Sequence, residues 1–143
     1  MKIIGINSEM HISSACLLED GEIVAAAAEE RFTREKLTRK FPLETIKYCL
    51  KEANIKMEEV DYIATSWNPG IYFTKFNPIY SGQRRHMVEQ LYSIPDNLMQ
   101  LYGKPNVDYV FQELSGDFGK TRIYHVTHHR AHAANGFFLS PFS

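Results

Sequence analysis

Glu19, Asp20, Gly21 and Glu22 stand between two runs of strand-forming residues, and this short junction constrains the fold more than any other part of the sequence. Asp and Gly both tolerate positive φ, which the two central positions of a type I′ turn require, so the junction predicts a two-residue β-hairpin. Its arms are "SACLL" at 14–18 and "EIVAAAAEE" at 22–30, and "KIIGI" at 2–6 precedes them as a third strand. Ala25 to Ala28 have helical propensity, but the hairpin register and the β-branched Ile23 and Val24 assign them to the strand. A chain that opens in this way begins with an antiparallel meander.

Downstream the pattern changes period. "RFTREKLTRKF" is polar and basic without periodicity and reads as a loop leading to Pro42, at the first turn of a helix. Leu43, Ile46, Leu50 and Ala53, with Cys49 beside them, recur at helical spacing and predict an amphipathic helix over 42–54. "VDYIATS" follows as a strand. The aromatic stretch 67–76, broken by Pro69 and Gly70, reads as a loop. Residues 78–93 and 96–102 read as two helices, split at Pro95 and closed at Gly103. A further strand, "TRIYHV", leads to Thr127, whose hydroxyl can cap a last helix. A meander followed by alternating helices and strands implies an α/β fold, a mixed sheet with helices on its faces.

The 143 residues have the size of one domain, 44% hydrophobic and 23% charged, with net charge -1 and no low-complexity tract. This balance carries no bulk signature for nucleic acid, although Arg31, Arg34, Lys36, Arg39 and Lys40 make a local basic patch. Cys16 and Cys49 form no CxxC pair and read as small buried hydrophobes in a reducing compartment. The N-terminal apolar run is too short for a signal peptide, and nowhere do about 18 apolar residues run together. No membrane association is expected, and a cytoplasmic location is.

Four segments carry chemistry. In "VTHHRAHAANGFF" (126–138), a helix from Thr127 aligns His128, His132 and Asn135 on one stripe and Ala131, Ala134 and Phe138 on a second that can pack inward. Imidazoles at i and i+4 can present two nitrogens to one divalent cation, with further ligands from elsewhere; the bland alternative is a pair of solvated rings. The zincin pattern fails, because His129 and Arg130 occupy the place of its glutamate. In "GINSEMHISSA", Asn7, Ser8, Ser13 and Ser14 can offer polar groups to an anion or phosphate, with His11 as proton donor or charge stabiliser; any turn is also polar. "EERFTREK" crowds Arg31, Arg34 and Lys36 beyond a strand end, either as an anion site or as a solvated surface. "SWNPGIYFTKF" offers Trp67, Tyr72, Phe73 and Phe76 to a partner or to the core.

Three of these segments together, "GINSEMHISSACLLEDGEIVAAAAEERFTREK", "FPLETIKYCL" and "HVTHHRAHAANGFFLSPF", resemble the N-terminal part of the ATP-dependent O-carbamoyltransferases of antibiotic and nodulation-factor biosynthesis. That family is related in this region to the tRNA threonylcarbamoyl-transfer proteins. The resemblance implies half of an actin, sugar-kinase and Hsp70-like nucleotide-binding fold. It also implies transfer of a carbamoyl group from carbamoyl phosphate, with ATP as co-substrate and through a carbamoyl-adenylate, to a hydroxyl of a small molecule or sugar. By the same resemblance His128 and His132 hold an iron-like divalent metal, His11 is catalytic and Lys36 meets an anion; the chemistry of the two polar segments adds Arg31 and Arg34 beside Lys36 as substrate-binding residues, and Asn7 and Ser13 as cofactor-binding ones.

Two departures stand out: the family shows Asp after the first-loop histidine and His-Asp after the lysine, where this chain has Ile12 and Leu37-Thr38. Both bear on carbamoyl phosphate handling. The family runs on beyond "FFLSPFS", so the chain is expected to be a partial lobe of a longer protein, with apolar surface for a missing C-terminal lobe or a second copy. Such a part supplies some of the site and is not expected to be active alone. A threonylcarbamoyl-type transferase acting on tRNA and a non-catalytic binding module of the same fold are the rival readings.

Overall fold

The computed structural model describes residues 1–8, 12–66, 98, 101 and 121–140. Strands β1 (Lys2–Asn7), β2 (Ser14–Glu19) and β3 (Glu22–Ala28) form the expected meander. Its hairpin has both central residues at positive φ, Asp20 at 51° and Gly21 at 93°, the type I′ geometry that the Asp-Gly pair predicts. Helices α1 (Glu30–Thr33) and α2 (Leu43–Glu52) follow, then β4 (Tyr62–Thr65), β5 (Arg122–His125) and α3 (His128–Phe138). The sheet order is β3-β2-β1-β4-β5, antiparallel through the meander and parallel from β1 to β4 to β5. This is the mixed sheet expected from the sequence. The aromatic loop at 67–76 and the two helices expected at 78–93 and 96–102 lie outside the described residues, apart from Leu98 and Leu101, both helical.

Alternation along the strands gives the sheet two unlike faces. One register row carries Ala25, Leu17, Ile4 and Ile63, all buried, and Ile6 and Ala15 lie in the next row of that face. Helix α2 covers it with Ile46 and Cys49, both fully buried, while Leu43, Leu50 and Ala53 sit half-buried at the margin. Each large aliphatic side chain sealed there contributes about 2 kcal/mol, which makes this face the core of the domain. The opposite row reads Ala26, Cys16, Gly5 and Ala64 and ends at Tyr124. Small side chains let other chain approach this face closely; a Cβ on Gly5 would sit 2.9 Å from Cys16 Sγ.

Three local expectations change. The third strand ends at Ala28 rather than continuing to Glu30, because the Glu29 carbonyl accepts from the N–H groups of Phe32 and Thr33 and turns the chain into α1, inside the stretch expected to be loop. Thr127 occupies the N-cap of α3 with extended backbone, and its carbonyl accepts from Ala131 N–H, but its hydroxyl makes no cap. On the stripe expected to pack inward, Ala131 and Ala134 are half-buried while Phe138 is 78% exposed. No residue of α3 is fully buried, so its last turn runs past the apolar cover that the described residues provide.

Candidate functional site

The carboxyl ends of β1, β3, β4 and β5 and the start of β2 share one edge of the sheet, since Asn7 pairs with Ser14, Ser14 with Ala28, and Thr65 with His125. Polar side chains gather there. Asn7 Nδ2 donates to the Ile12 carbonyl at 2.8 Å, and Asn7 Oδ1 accepts from Ser66 Oγ at 2.7 Å. This amide thus spans the first loop and ties it to the end of β4. Ser66 carried no sequence signal, because its partner lies 59 positions away. His11, the expected catalytic residue, is outside the described residues.

Ser13 is fully buried, and its Oγ has no hydrogen-bond partner among the described residues. Its backbone is engaged on both sides: Ser13 N–H donates to the Thr38 carbonyl, and Glu29 N–H donates to the Ser13 carbonyl, each at 2.9 Å. These bonds dock the basic segment against the first loop. Arg31 lies on α1, Arg34 follows at φ 63° and Lys36 comes next, all exposed. The carboxylates among them are engaged with groups other than Arg31, Arg34 and Lys36. Glu29 is buried and accepts from Glu44 N–H, Thr45 N–H and Thr45 Oγ; Glu30 Oε2 accepts from Leu37 N–H at 3.0 Å; and Glu35 pairs with Lys40 at 2.8 Å. Arg31, Arg34, Lys36 and Arg39 form no ion pair with a described carboxylate, so a segment of mixed charge in the sequence is cationic at its surface.

His128 and His132 meet as their spacing requires, with rings edge to face, centroids 4.5 Å apart and Nε2 atoms 3.1 Å apart. Two imidazoles binding one first-row cation at about 2.1 Å place their nitrogens roughly 3.0–3.4 Å apart, so this pair fits two positions of such a cation's coordination sphere. The same separation lets one neutral ring donate its Nε2 proton to the other. Among the described residues no group of three or more His, Cys, Asp or Glu converges, so the pair offers two nitrogens and no third side chain of these types joins them. His129 meets His128 only edge-on, with centroids 6.0 Å apart. His125, on the last parallel strand, has Nδ1 2.7 Å from Thr65 Oγ1, and burial lowers its pKa below the ordinary histidine value.

Beneath α3 lies an open cleft of about 590 Å³ whose floor is the small-residue face, Gly5, Cys16, Ala26 and Ala64, and whose wall includes Asn7, Ser66, Ala131 and Ala134. The polar edge and the helix carrying His128 and His132 therefore border one concavity. Cys16 on its floor is a free thiol whose pKa burial pushes up, as burial pushes Cys49 up to about 11, so neither is a ready nucleophile near neutral pH.

The meander-led mixed sheet, with polar side chains at one end of its strands and a histidine pair on the helix beside them, defines an α/β domain. The family model described as "Carbamoyltransferase N-terminus" matches residues 2–143, and the chain belongs to that family. It is 39% identical to the uncharacterized protein sll1178 of Synechocystis over 98% of this chain and 23% of that protein. It is 33% identical to the nodulation protein NolNO of Sinorhizobium fredii over 95% of this chain and 18% of that one. The chain spans about a fifth of the length of these relatives. Among solved structures, YeaZ from Pseudomonas aeruginosa aligns with a TM-score of 0.47 and 13% identity, covering 94% of this chain and 50% of that one. No helix among the described residues is long and apolar enough to cross a membrane.

Proposed function

We propose that this chain supplies one part of the site of an ATP-dependent carbamoyltransferase. In that reaction the carbamoyl group of carbamoyl phosphate is activated as a carbamoyl-adenylate and passed to a hydroxyl of a small molecule or sugar. The observation that supports this reading best is the 3.1 Å approach of His128 Nε2 and His132 Nε2 beside a strand-end cleft, in a chain of the carbamoyltransferase N-terminus family. A divalent cation held there would neutralise charge on the nucleotide phosphates.

The remaining roles fall to side chains of this chain. Arg31, Arg34 and Lys36, without acidic partners among the described residues, draw phosphate-bearing substrate to the edge of the sheet by charge-assisted hydrogen bonds. Ser13 Oγ, without a partner among the described residues, can donate or accept. Asn7 already spends one Nδ2 proton on Ile12 and accepts from Ser66, which leaves its second proton for a ligand. His11, in the loop that Asn7 spans, takes the proton of the acceptor hydroxyl as it attacks the carbamoyl carbon, while AMP leaves. The rest of the parent protein completes the site and covers Phe137, Phe138 and Leu139, exposed by 70%, 78% and 62%.

The test uses the parent protein. Metal content and carbamoyl-phosphate-dependent ATP turnover are measured for the wild type, His128→Ala and His132→Ala. Both substitutions should strip the metal and abolish turnover. Unchanged metal content in both variants removes the histidine site, and ATP turnover indifferent to carbamoyl phosphate removes the reaction.

A further inference from the structure

The two faces of the sheet are covered unequally. On the α2 face Ile4, Leu17, Ala25 and Ile63 are all buried. On the other face Ile3, Leu18 and Tyr62 share a row and are only half-buried, while Ile23 at its outer end and Tyr124 in the next row are exposed by 49% and 51%. No charged side chain stands on this face in β1, β2 or β4. A sheet face left to water turns polar, and parallel strands such as β1, β4 and β5 are ordinarily covered on both sides. This face is therefore built for cover.

Helix α3 supplies part of that cover. Its half-buried Ala131 and Ala134 wall one side of the 590 Å³ cleft, whose floor is formed by β1 to β4. The five strands, about 4.8 Å apart, are roughly 19 Å across, which accommodates two helices packed about 10 Å from each other. One of the two places is taken by α3. We infer that the other belongs to a helix from the part of the parent protein outside residues 1–143, laid over β2 and β3 along the open side of the cleft. The floor there is shallow, with Gly5, Cys16 and Ala26, so the helix fills it with a stripe of large aliphatic side chains.

The cleft has no charged lining residue, and its polar side chains, Asn7, Ser14, Thr65 and Ser66, gather at the strand-end edge already described. Its remaining surface suits an apolar helix face. The parent protein has ample chain to provide one, since this chain covers only 23% and 18% of its two longer relatives. A tethered segment also acts at about millimolar effective concentration, which favours it over a second copy free in solution. The inference rests on membership of the family and not on the proposed reaction, so its test is read without turnover.

The parent protein is prepared with p-benzoylphenylalanine in place of Tyr124 or, separately, of Ile23, irradiated and analysed by peptide mass spectrometry. Both positions should cross-link within one chain to a single segment outside residues 1–143. The same probe at Glu52, exposed on α2, should not reach that segment. Cross-links between a light and an isotope-labelled copy assign the face to a dimer and overturn the inference, as do cross-links confined to residues 1–143 or none at all. Cys16 on this face and Cys49 in the core give a second reading. Ala26→Asp places a charge at an exposed point of the cleft floor and should dislodge the helix, raising maleimide labelling of Cys16 about tenfold while Cys49 stays protected. An unchanged Cys16 rate overturns the inference. Where both thiols become reactive the variant has unfolded, and the cross-links decide.

Discussion

Glu29 Oε2 accepts two hydrogen bonds from a single distant residue, from Thr45 N–H at 2.8 Å and from Thr45 Oγ at 2.7 Å, while Glu29 Oε1 accepts from Glu44 N–H at 3.1 Å. Helix α2 begins after Pro42, which makes no side-chain cap, so the first-turn amides of Glu44 and Thr45 are satisfied from outside the helix by the residue that follows β3. A carboxylate is well matched to the positive end of the helix dipole. Glu29→Ala should cost about 2–4 kcal/mol and Glu29→Gln about 1–2 kcal/mol in urea unfolding, because each strands amides that are already removed from water. An alanine variant within about 0.5 kcal/mol of wild type would show that water replaces the cap.

Close approach at Gly5 gives a second expectation. Its missing Cβ would meet Cys16 Sγ at 2.9 Å, and both residues lie in paired central strands that cannot shift separately. Gly5→Ala should destabilise by about 1–3 kcal/mol. Adding Cys16→Ala should restore part of that loss, and the coupling in a double-mutant cycle measures the clash. Additive effects would place the strain elsewhere.

Two glycines should respond to alanine with opposite sign. Gly21 holds φ 93° in the hairpin turn, where a side chain is strained, so Gly21→Ala should cost about 1 kcal/mol or more. Gly136 lies inside α3 with open space around its Cβ position, and Gly136→Ala should add about 0.5–1 kcal/mol through helix propensity. Thermal melts of the two variants on either side of wild type are the readout.

The folded-state pKa of His125 is lowered by burial, so the unfolded chain binds a proton more readily than the folded one. Stability from this group is complete above the ordinary histidine pKa of about 6.5 and is lost as the pH falls through that value toward the lowered one. Melting temperature measured from pH 8 to pH 5 should therefore decline below about pH 6.5, and less steeply in His125→Gln. Identical slopes would assign the decline to other groups.

Local patterns carried the meander, the Asp20-Gly21 turn, α2 and the His128 and His132 pair, because each depends on spacing of two, three or four residues along one element. The sequence reading also anticipated a polar first loop and a basic segment. It left Arg31, Arg34 and Lys36 as either an anion site or a solvated surface, since adjacency in sequence says nothing about which way the neighbouring carboxylates turn. It placed Phe138 inward, because helical periodicity defines a stripe without showing what stands opposite its far end.

Sequence alone thus determined the meander with its turn, helix α2 and the histidine spacing, all consequences of backbone geometry acting over a few residues. Tertiary structure alone decided that Glu29 caps α2, that Ser66 orients Asn7, and that the Ser13 N–H to Thr38 carbonyl bond docks the basic segment against the first loop. Those relationships join residues 16 to 59 positions apart, and only the closing of the sheet and the docking of the segment after β3 bring their polar groups within hydrogen-bond reach.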